Sequence, residues 1–146
     1  MFSLKNKVAV VTGASRGIGK SIAKIYANAG AHVSCISRNK DTLNDVVKSI
    51  VSNGGSASIN AFNVSNSIEF QDNINDIVRE YGTIDILVNN AGITIDKLIM
   101  RMNDDDWNKV LEVNLKGAFN GIKSVTRTMM KARSGRIINI SSVVGL

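Results

Sequence analysis

Proline is absent from this chain, and no long low-complexity stretch or extended block of charge interrupts it. The sequence therefore offers no linker, and residues 1–146 are expected to form a single domain, long enough for one sizeable core. Cysteine occurs once. Cys35 can form neither an internal disulfide nor a cysteine metal cluster, which suits a reducing cytoplasm. It lies in the apolar run HVSCIS and is expected to be a buried, inert thiol. No apolar run approaches the roughly 18 residues that span a bilayer, so no membrane association is expected. The start, MFSLKNKVAVVTG, lacks the basic opening, long apolar middle and cleavage site of a secretory signal. Acidic residues are also scarce, 12 against 18 basic ones, a net charge of +6. That balance favours an anionic partner. The basic residues are scattered, without an arginine-rich arm or metal-finger spacing, so neither nucleic acid nor a metal is the expected ligand.

Strand-length apolar runs alternate with longer amphipathic stretches. VAVV (Val8 to Val11) is the first strand. A glycine-rich turn follows, then a helix in which Ile18, Ile22, Ile25, Tyr26 and Ala29 line one face, closed by Gly30. HVSCI is the second strand, and His32, at its start, is read as an ordinary surface or edge histidine. Asp41 to Asn53 reads as a helix with Leu43, Val46, Val47, Ile50 and Val51 inward, ended by Gly54-Gly55. ASINAFNV is a weaker strand. Asn66 and Glu69 have the spacing of a capping box and open a helix through Ile68, Ile74, Ile77 and Val78 to Tyr81. IDILVNN is a fourth strand, apolar enough for burial on both faces. The acidic run Asn103 to Asp106 caps a long helical stretch ending near Ala132, which Asn114 interrupts, and GRIINI is the fifth strand. Five strands separated by helices, with no hairpin signal, predict right-handed crossovers. The expected fold is α/β: a doubly wound parallel sheet of Rossmann type, ending after its fifth strand.

VVTGASRGIGKSIA places Gly13, Gly17 and Gly19 between a strand and a helix. Glycines there allow a sharp turn, close approach of a phosphate to the backbone, and tight helix–strand packing. The helix N-terminus adds N–H groups and partial positive charge for a pyrophosphate. Dinucleotide binding is the expected function of the turn. TGASRGIG, with Thr12 before the first glycine, resembles the cofactor turn of the short-chain dehydrogenase/reductase family. NNAG at Asn89 to Gly92, Asn114 in VNLKG and Ser142 in ISSVVG resemble three further motifs of that family, in the same order. Within it, NNAGITIDKLIMRMNDDDWNKVLEVNLKGAF followed by GRIINISSVVG is most similar to bacterial and plastid-type 3-oxoacyl-[acyl-carrier-protein] reductases.

A dinucleotide fold that prefers NAD carries an acid about 20 residues beyond the glycines, at the end of the second strand. Here that strand ends ISRN, with Ser37 and Arg38 in its place. A guanidinium pairs with a ribose 2′-phosphate that a carboxylate would repel, and Arg16 is a second candidate for the same group. The expected cofactor is NADP(H). The resemblance implies cofactor contacts at Gly13, Ala14, Ser15, Arg16, Gly17, Ile18 and Gly19. It places Asn63 and Val64 beside the adenine, and Asn90, Ala91 and Gly92 toward the ribose and nicotinamide. It also implies that Ser142 polarises the substrate carbonyl, with Ser141 structural, and that Asn114 holds a water in a proton relay. The family's Tyr-x-x-x-Lys pair lies about a dozen residues beyond that serine. Tyr26 and Tyr81 sit on helices where they cannot replace it, so the chain as it stands is expected to be an incomplete, inactive portion of a reductase with an open apolar edge at its fifth strand.

The implied activity is NADPH-dependent reduction of 3-oxoacyl-[acyl-carrier-protein] in fatty-acid synthesis. The same scaffold also serves sugar, steroid and other small carbonyl substrates, and a noncatalytic nucleotide-binding module is a third reading. An acidic acyl carrier protein is the implied partner. Lys131, Arg133 and Arg136 in MMKARSGR are candidates to dock it, or simply complement the helix dipole. Val110, Leu111, Leu115, Ala118, Phe119 and Ile122 resemble the family's tetramer-forming element. The expected location is the cytoplasm, or the stroma of a plastid-type organelle.

Overall fold

The computed structural model describes residues 2–142. Its elements run β1 (Val8–Thr12), α1 (Gly17–Asn28), β2 (His32–Ser37), α2 (Lys40–Ser52), β3 (Ser56–Ala61), α3 (Ser67–Tyr81) and β4 (Ile86–Asn89). A short 3₁₀ turn (Ile99–Arg101), α4 (Asp104–Leu111), one stretch of π-helix (Glu112–Lys116), α5 (Gly117–Ala132) and β5 (Arg136–Asn139) follow. The strands form one parallel sheet in the order β3-β2-β1-β4-β5. The chain steps outward from β1 in one direction, then returns to its other side with β4. The carboxyl ends of β1 and β4 thus flank the crevice where doubly wound sheets take ligands.

The alternation of β1 decides which helix goes where, since successive side chains point to opposite faces. Ala9 and Val11 pack with Val33, Cys35 and Val88 under α1 and α2, while Val8 and Val10 join Ile36 and Leu87 under α3 and α5. Strand β4 is buried along its whole length, as expected of a central parallel strand. Cys35 is fully buried, and burial pushes its thiol up to about 12. No helix among the described residues is long and apolar enough to cross a membrane.

Most of the expected inward residues do pack on the core, among them Leu43, Val46, Val47 and Ile50 on α2, Ile74, Ile77 and Val78 on α3, and Ile22 and Tyr26 at the rim of α1. Each helix departs at one or two positions. On α1 the residues against the sheet are Gly19, Ala23 and Ala27, while Ile18 and Ile25 are exposed. A strip of small residues at four-residue spacing lets the helix backbone approach the sheet, with Ile22 and Tyr26 packed beside it and Ile18 and Ile25 left outside. Val51 at the end of α2 and Ile68 at the start of α3 also face solvent, and α3 buries Phe70 with Ile74 and Ile77 instead. The capping at Asn66 is half a box. Its side chain accepts from the Ile68 and Glu69 backbones, but its own N–H goes to the Asn63 carbonyl. The reciprocal box is at Asn103 and Asp106. His32 is not at an edge, because β2 is paired on both sides. Its ring stacks on Tyr81 at 4.0 Å and meets the hydroxyls of Ser56 and Ser58, and burial holds its pKa below 6.5. Strand β5 is the sheet's last, with Ile137, Ile138 and Ile140 part exposed.

Candidate functional site

Three of the helices begin with an asparagine whose side chain accepts from their first-turn N–H groups: Asn39 for α2, Asn66 for α3 and Asn103 for α4. Helix α1 does not. Its N-cap is Arg16, extended, with no side-chain cap and no acidic residue in the first turn. The partial positive end of α1 is therefore left to whatever occupies the space before it.

Gly13 and Gly17 hold φ of +66° and +53°, the left-handed region that favours glycine. They bend the chain from β1 into α1 within four residues. Thr12, buried at the end of β1, ties this turn to the loop after β4: its Oγ accepts from the N–H groups of Asn90 and Ala91, both at 2.9 Å, and donates to the Val88 carbonyl. The Asn90 amide in turn donates to the carbonyls of Thr12 and Gly13. Sequence reasoning passed over Thr12 as a site residue. Its signal is a β-branched hydroxyl at a strand end, but the partners lie 78 residues away.

These loops enclose a cavity of about 590 Å³ at the carboxyl ends of the strands. One wall is Gly13 with Ser15, Arg16, Gly17 and Ile18, and a second is Ser37, Arg38, Asn39 and Thr42. Phe62, Asn63 and Val64 make the third, and Asn90, Ala91, Gly92 and Ile93, with Val113, complete it. Eleven of the thirteen expected cofactor residues thus meet in one place: Gly13, Ser15, Arg16, Gly17, Ile18, Arg38, Asn63, Val64, Asn90, Ala91 and Gly92. Ala14 and Gly19 lie behind the wall. Ala14 is buried and donates to the Ile36 carbonyl, while Gly19 is pressed beneath Gly13. Phe62, Ile93 and Val113 were not anticipated, since nothing in their local sequence distinguishes them from core. Two guanidinium-bearing residues line the cavity, and among the described residues no carboxylate does.

The helical stretch after Asn103 is broken at Asn114 by the π-helical turn, a feature that recurs at functional sites. The extra residue turns the Asn114 amide onto the loop after β4. Its Oδ1 accepts from the Ile93 N–H at 2.8 Å, and its Nδ2 donates to the Ile93 carbonyl at 3.0 Å. Asn114 is thus a two-handed clamp on a loop that lines the cavity. Ser142 follows β5, whose Asn139 pairs with Asn89, and it is exposed there. Asn89 itself faces away from the cavity and donates to the Asn139 side chain.

The far end of the same loop is held by charge. Asp106 accepts from Lys97 Nζ at 2.6 Å and from the Asn103 N–H, and these bonds, Lys97's first, hold its carboxyl below the ordinary 3.8. A depressed native pKa stabilises the fold at pH values above the unfolded one, and the gain disappears as pH falls through the native value. The melting temperature of the parent chain should therefore exceed that of Asp106→Asn at pH 7, and the gap should close below about pH 4. Thermal unfolding of both across pH 2 to 7 measures it, and a gap that persists unchanged in acid refutes the ion pair's role.

A family model described as short chain dehydrogenase matches residues 7–146. The chain is 46% identical over 141 residues to a 3-oxoacyl-[acyl-carrier-protein] reductase FabG of Staphylococcus epidermidis, covering 96% of this chain and 58% of that protein. It is 44% identical over 144 residues to the protein of that name from Chlamydia muridarum, again covering 58% of the relative. A crystal structure of a metagenomic short-chain oxidoreductase in complex with NADP superposes with a TM-score of 0.93 at 37% identity, covering 98% of this chain and 65% of that one. A short-chain dehydrogenase/reductase from Burkholderia xenovorans superposes at 0.94 with 33% identity, covering 97% of this chain and 58% of that one. The chain thus spans a little under two thirds of the length of these relatives, with the glycine turn, the Thr12 link and the π-turn asparagine all inside the matched region. It belongs to the short-chain dehydrogenase family.

Proposed function

We propose that this chain forms the nucleotide-binding portion of an NADPH-dependent reductase acting on 3-oxoacyl groups carried by acyl carrier protein. The single observation that carries the nucleotide reading is the uncapped α1 N-terminus, which opens on a cavity lined by Arg16 and Arg38 and by no described carboxylate. A pyrophosphate supplies the charge that this helix end lacks. Arg38, with Arg16 across from it, suits a 2′-phosphate, and Asn63 and Val64 offer a wall for adenine. NADPH, when bound, supplies the hydride. The relative crystallised with NADP supports this cofactor, and the resemblance to the FabG proteins supports the substrate.

The chain's own residues have distinct tasks in this reading. Thr12 and Asn90 lock the glycine turn to the loop after β4, and Asn114 keeps that loop in place through Ile93. The Ser142 hydroxyl donates to the substrate carbonyl oxygen, where negative charge builds during reduction. Lys131, Arg133 and Arg136 gather at the end of α5, and Arg133 holds a left-handed φ of +49° although it is not glycine. A non-glycine residue kept in that region against a cost of about 1 kcal/mol suits a side chain retained for docking an acidic carrier.

Self-association into a tetramer is supported by the outer face of α4 and α5. Trp107, Leu111, Leu115 and Phe119 recur every four residues, and all are exposed. In an unbroken α-helix such positions drift by about 40° per step, leaving the first and last roughly 120° apart. The π-turn absorbs one residue, about 100°, and returns them to one stripe. Val110, Ala118 and Ile122 are only part buried beside it.

Titration of the full-length protein with NADPH and NADH is the test. NADPH is expected to bind more tightly, and Arg38→Asp to weaken it by about 10- to 100-fold, the worth of a charge-assisted contact, while sparing NADH. NADH preference, or an Arg38→Asp variant that binds NADPH normally, overturns the cofactor assignment. Reduction of other small carbonyls but not of carrier-bound 3-oxoacyl thioesters would overturn the substrate assignment alone.

A further inference from the structure

The third cavity wall is held from behind by α5. The loop of Phe62, Asn63 and Val64 closes its own turn through Asn63, whose side chain accepts from the Ser65 N–H and whose carbonyl accepts from the Asn66 N–H. The Val64 carbonyl is taken by a residue 56 positions away: Asn120 Nδ2 donates to it at 2.9 Å, fully inside the protein. Asparagine is a weak helix former, and its amide costs free energy to bury unless it is paired. Yet Asn120 sits in the first turn of α5, continuous with the π-helical turn before it, at 2% exposure.

The helix is seated closely at this point. A Cβ added at Gly117 would lie 2.7 Å from Val64 Cγ2, and one at Gly121 would lie 2.6 Å from Asn89 Oδ1. With glycine on both sides, the α5 backbone comes close enough for the short Asn120 side chain to reach the loop. Ser124 donates to the Asn120 carbonyl at 2.7 Å, one turn on.

We infer that Asn120 is a positioning residue for the nucleotide: by fixing the Val64 carbonyl it sets the wall against which the adenine half rests. This inference rests on the nucleotide reading proposed above. It places the control of cofactor affinity partly on α5, outside the loops that line the cavity.

The experiment compares the full-length protein with Asn120→Leu, which keeps the volume but not the donor, and with Asn120→Asp. Dissociation constants are measured for NADPH and for 2′,5′-ADP well below each variant's melting temperature, together with steady-state kinetics. Asn120→Leu is expected to weaken both ligands about tenfold and to raise the NADPH KM, with kcat and the carbonyl-substrate KM unchanged. Asn120→Asp is expected to match it at neutral pH, where an ionised carboxylate cannot donate. It should approach the parent as pH falls and the protonated carboxyl donates in place of the amide. That recovery keeps the inference testable even if the leucine variant does not fold. Variants that melt earlier but bind both ligands like the parent show Asn120 to be merely structural and overturn the inference. A parent protein that binds neither ligand overturns the nucleotide reading itself, which is a different result.

Discussion

Gly19→Ala is expected to weaken NADPH binding by about 100-fold and to lower the melting temperature, although alanine is the better helix former. Gly19 lies in the first turn of α1 with an ordinary helical φ, so propensity alone would favour alanine by about 1 kcal/mol. Steric exclusion decides the outcome. The added methyl would collide with the Gly13 carbonyl oxygen and lie 2.5 Å from Asn90 Nδ2 and 2.8 Å from the Gly13 carbonyl carbon. Two of those atoms are backbone, so the turn itself must shift. Overpacking costs typically 1–3 kcal/mol, and displacing a binding group by about 1 Å can cost 100-fold. Gly17→Ala provides the contrast. A Cβ there meets nothing within 4 Å, so its cost is the left-handed φ alone, about 1 kcal/mol. Thermal unfolding and NADPH titration of both variants measure the difference. A Gly19→Ala protein that binds within threefold of the parent would show that the close stacking of Gly19 on Gly13 does not shape the nucleotide site.

Phe70→Ala is expected to have the largest effect on stability, about 3–5 kcal/mol. Phe70 is the largest of the fully buried side chains, and its ring meets Phe62 edge-on at 5.2 Å. Removing it from a domain whose total stability is about 5–15 kcal/mol leaves little in reserve. For a chain of this size the melting temperature should fall by about 10 °C. Because Phe62 lines the cavity, nucleotide affinity should fall too. Ile68→Ala, two residues earlier on the same helix but 73% exposed, should change stability by less than about 0.5 kcal/mol. Equal losses for the two variants would mean that the α3 face has been assigned wrongly.

That pair also shows where sequence reasoning succeeded and where it stopped. Periodicity located α3 and its end at Tyr81, but it put Ile68 inward and passed over Phe70. Apolar spacing identifies a helix well; the choice of which apolar residues touch the sheet depends on how closely the helix approaches. On α1 the same uncertainty displaced Ile18 and Ile25 in favour of Gly19, Ala23 and Ala27. Asn114 was legible as a break in a helix, whereas its grip on Ile93 was not.

What the sequence determined by itself was the alternation of strands and helices, the parallel sheet that follows from it, the glycine turn with Arg16, and Arg38 at the end of the second strand. Each rests on residues close together in the chain, whose spacing and chemistry constrain the backbone locally. Only the tertiary structure decided that Thr12 joins Asn90 and Ala91, that Asn120 reaches Val64, and that α1, unlike the asparagine-capped α2, α3 and α4, begins without a side-chain cap beside a cavity. Those facts depend on which elements become neighbours, and the order β3-β2-β1-β4-β5 brings together groups separated by 56 to 79 residues. No local pattern records such a meeting, because its energy is realised only once the sheet has closed around it.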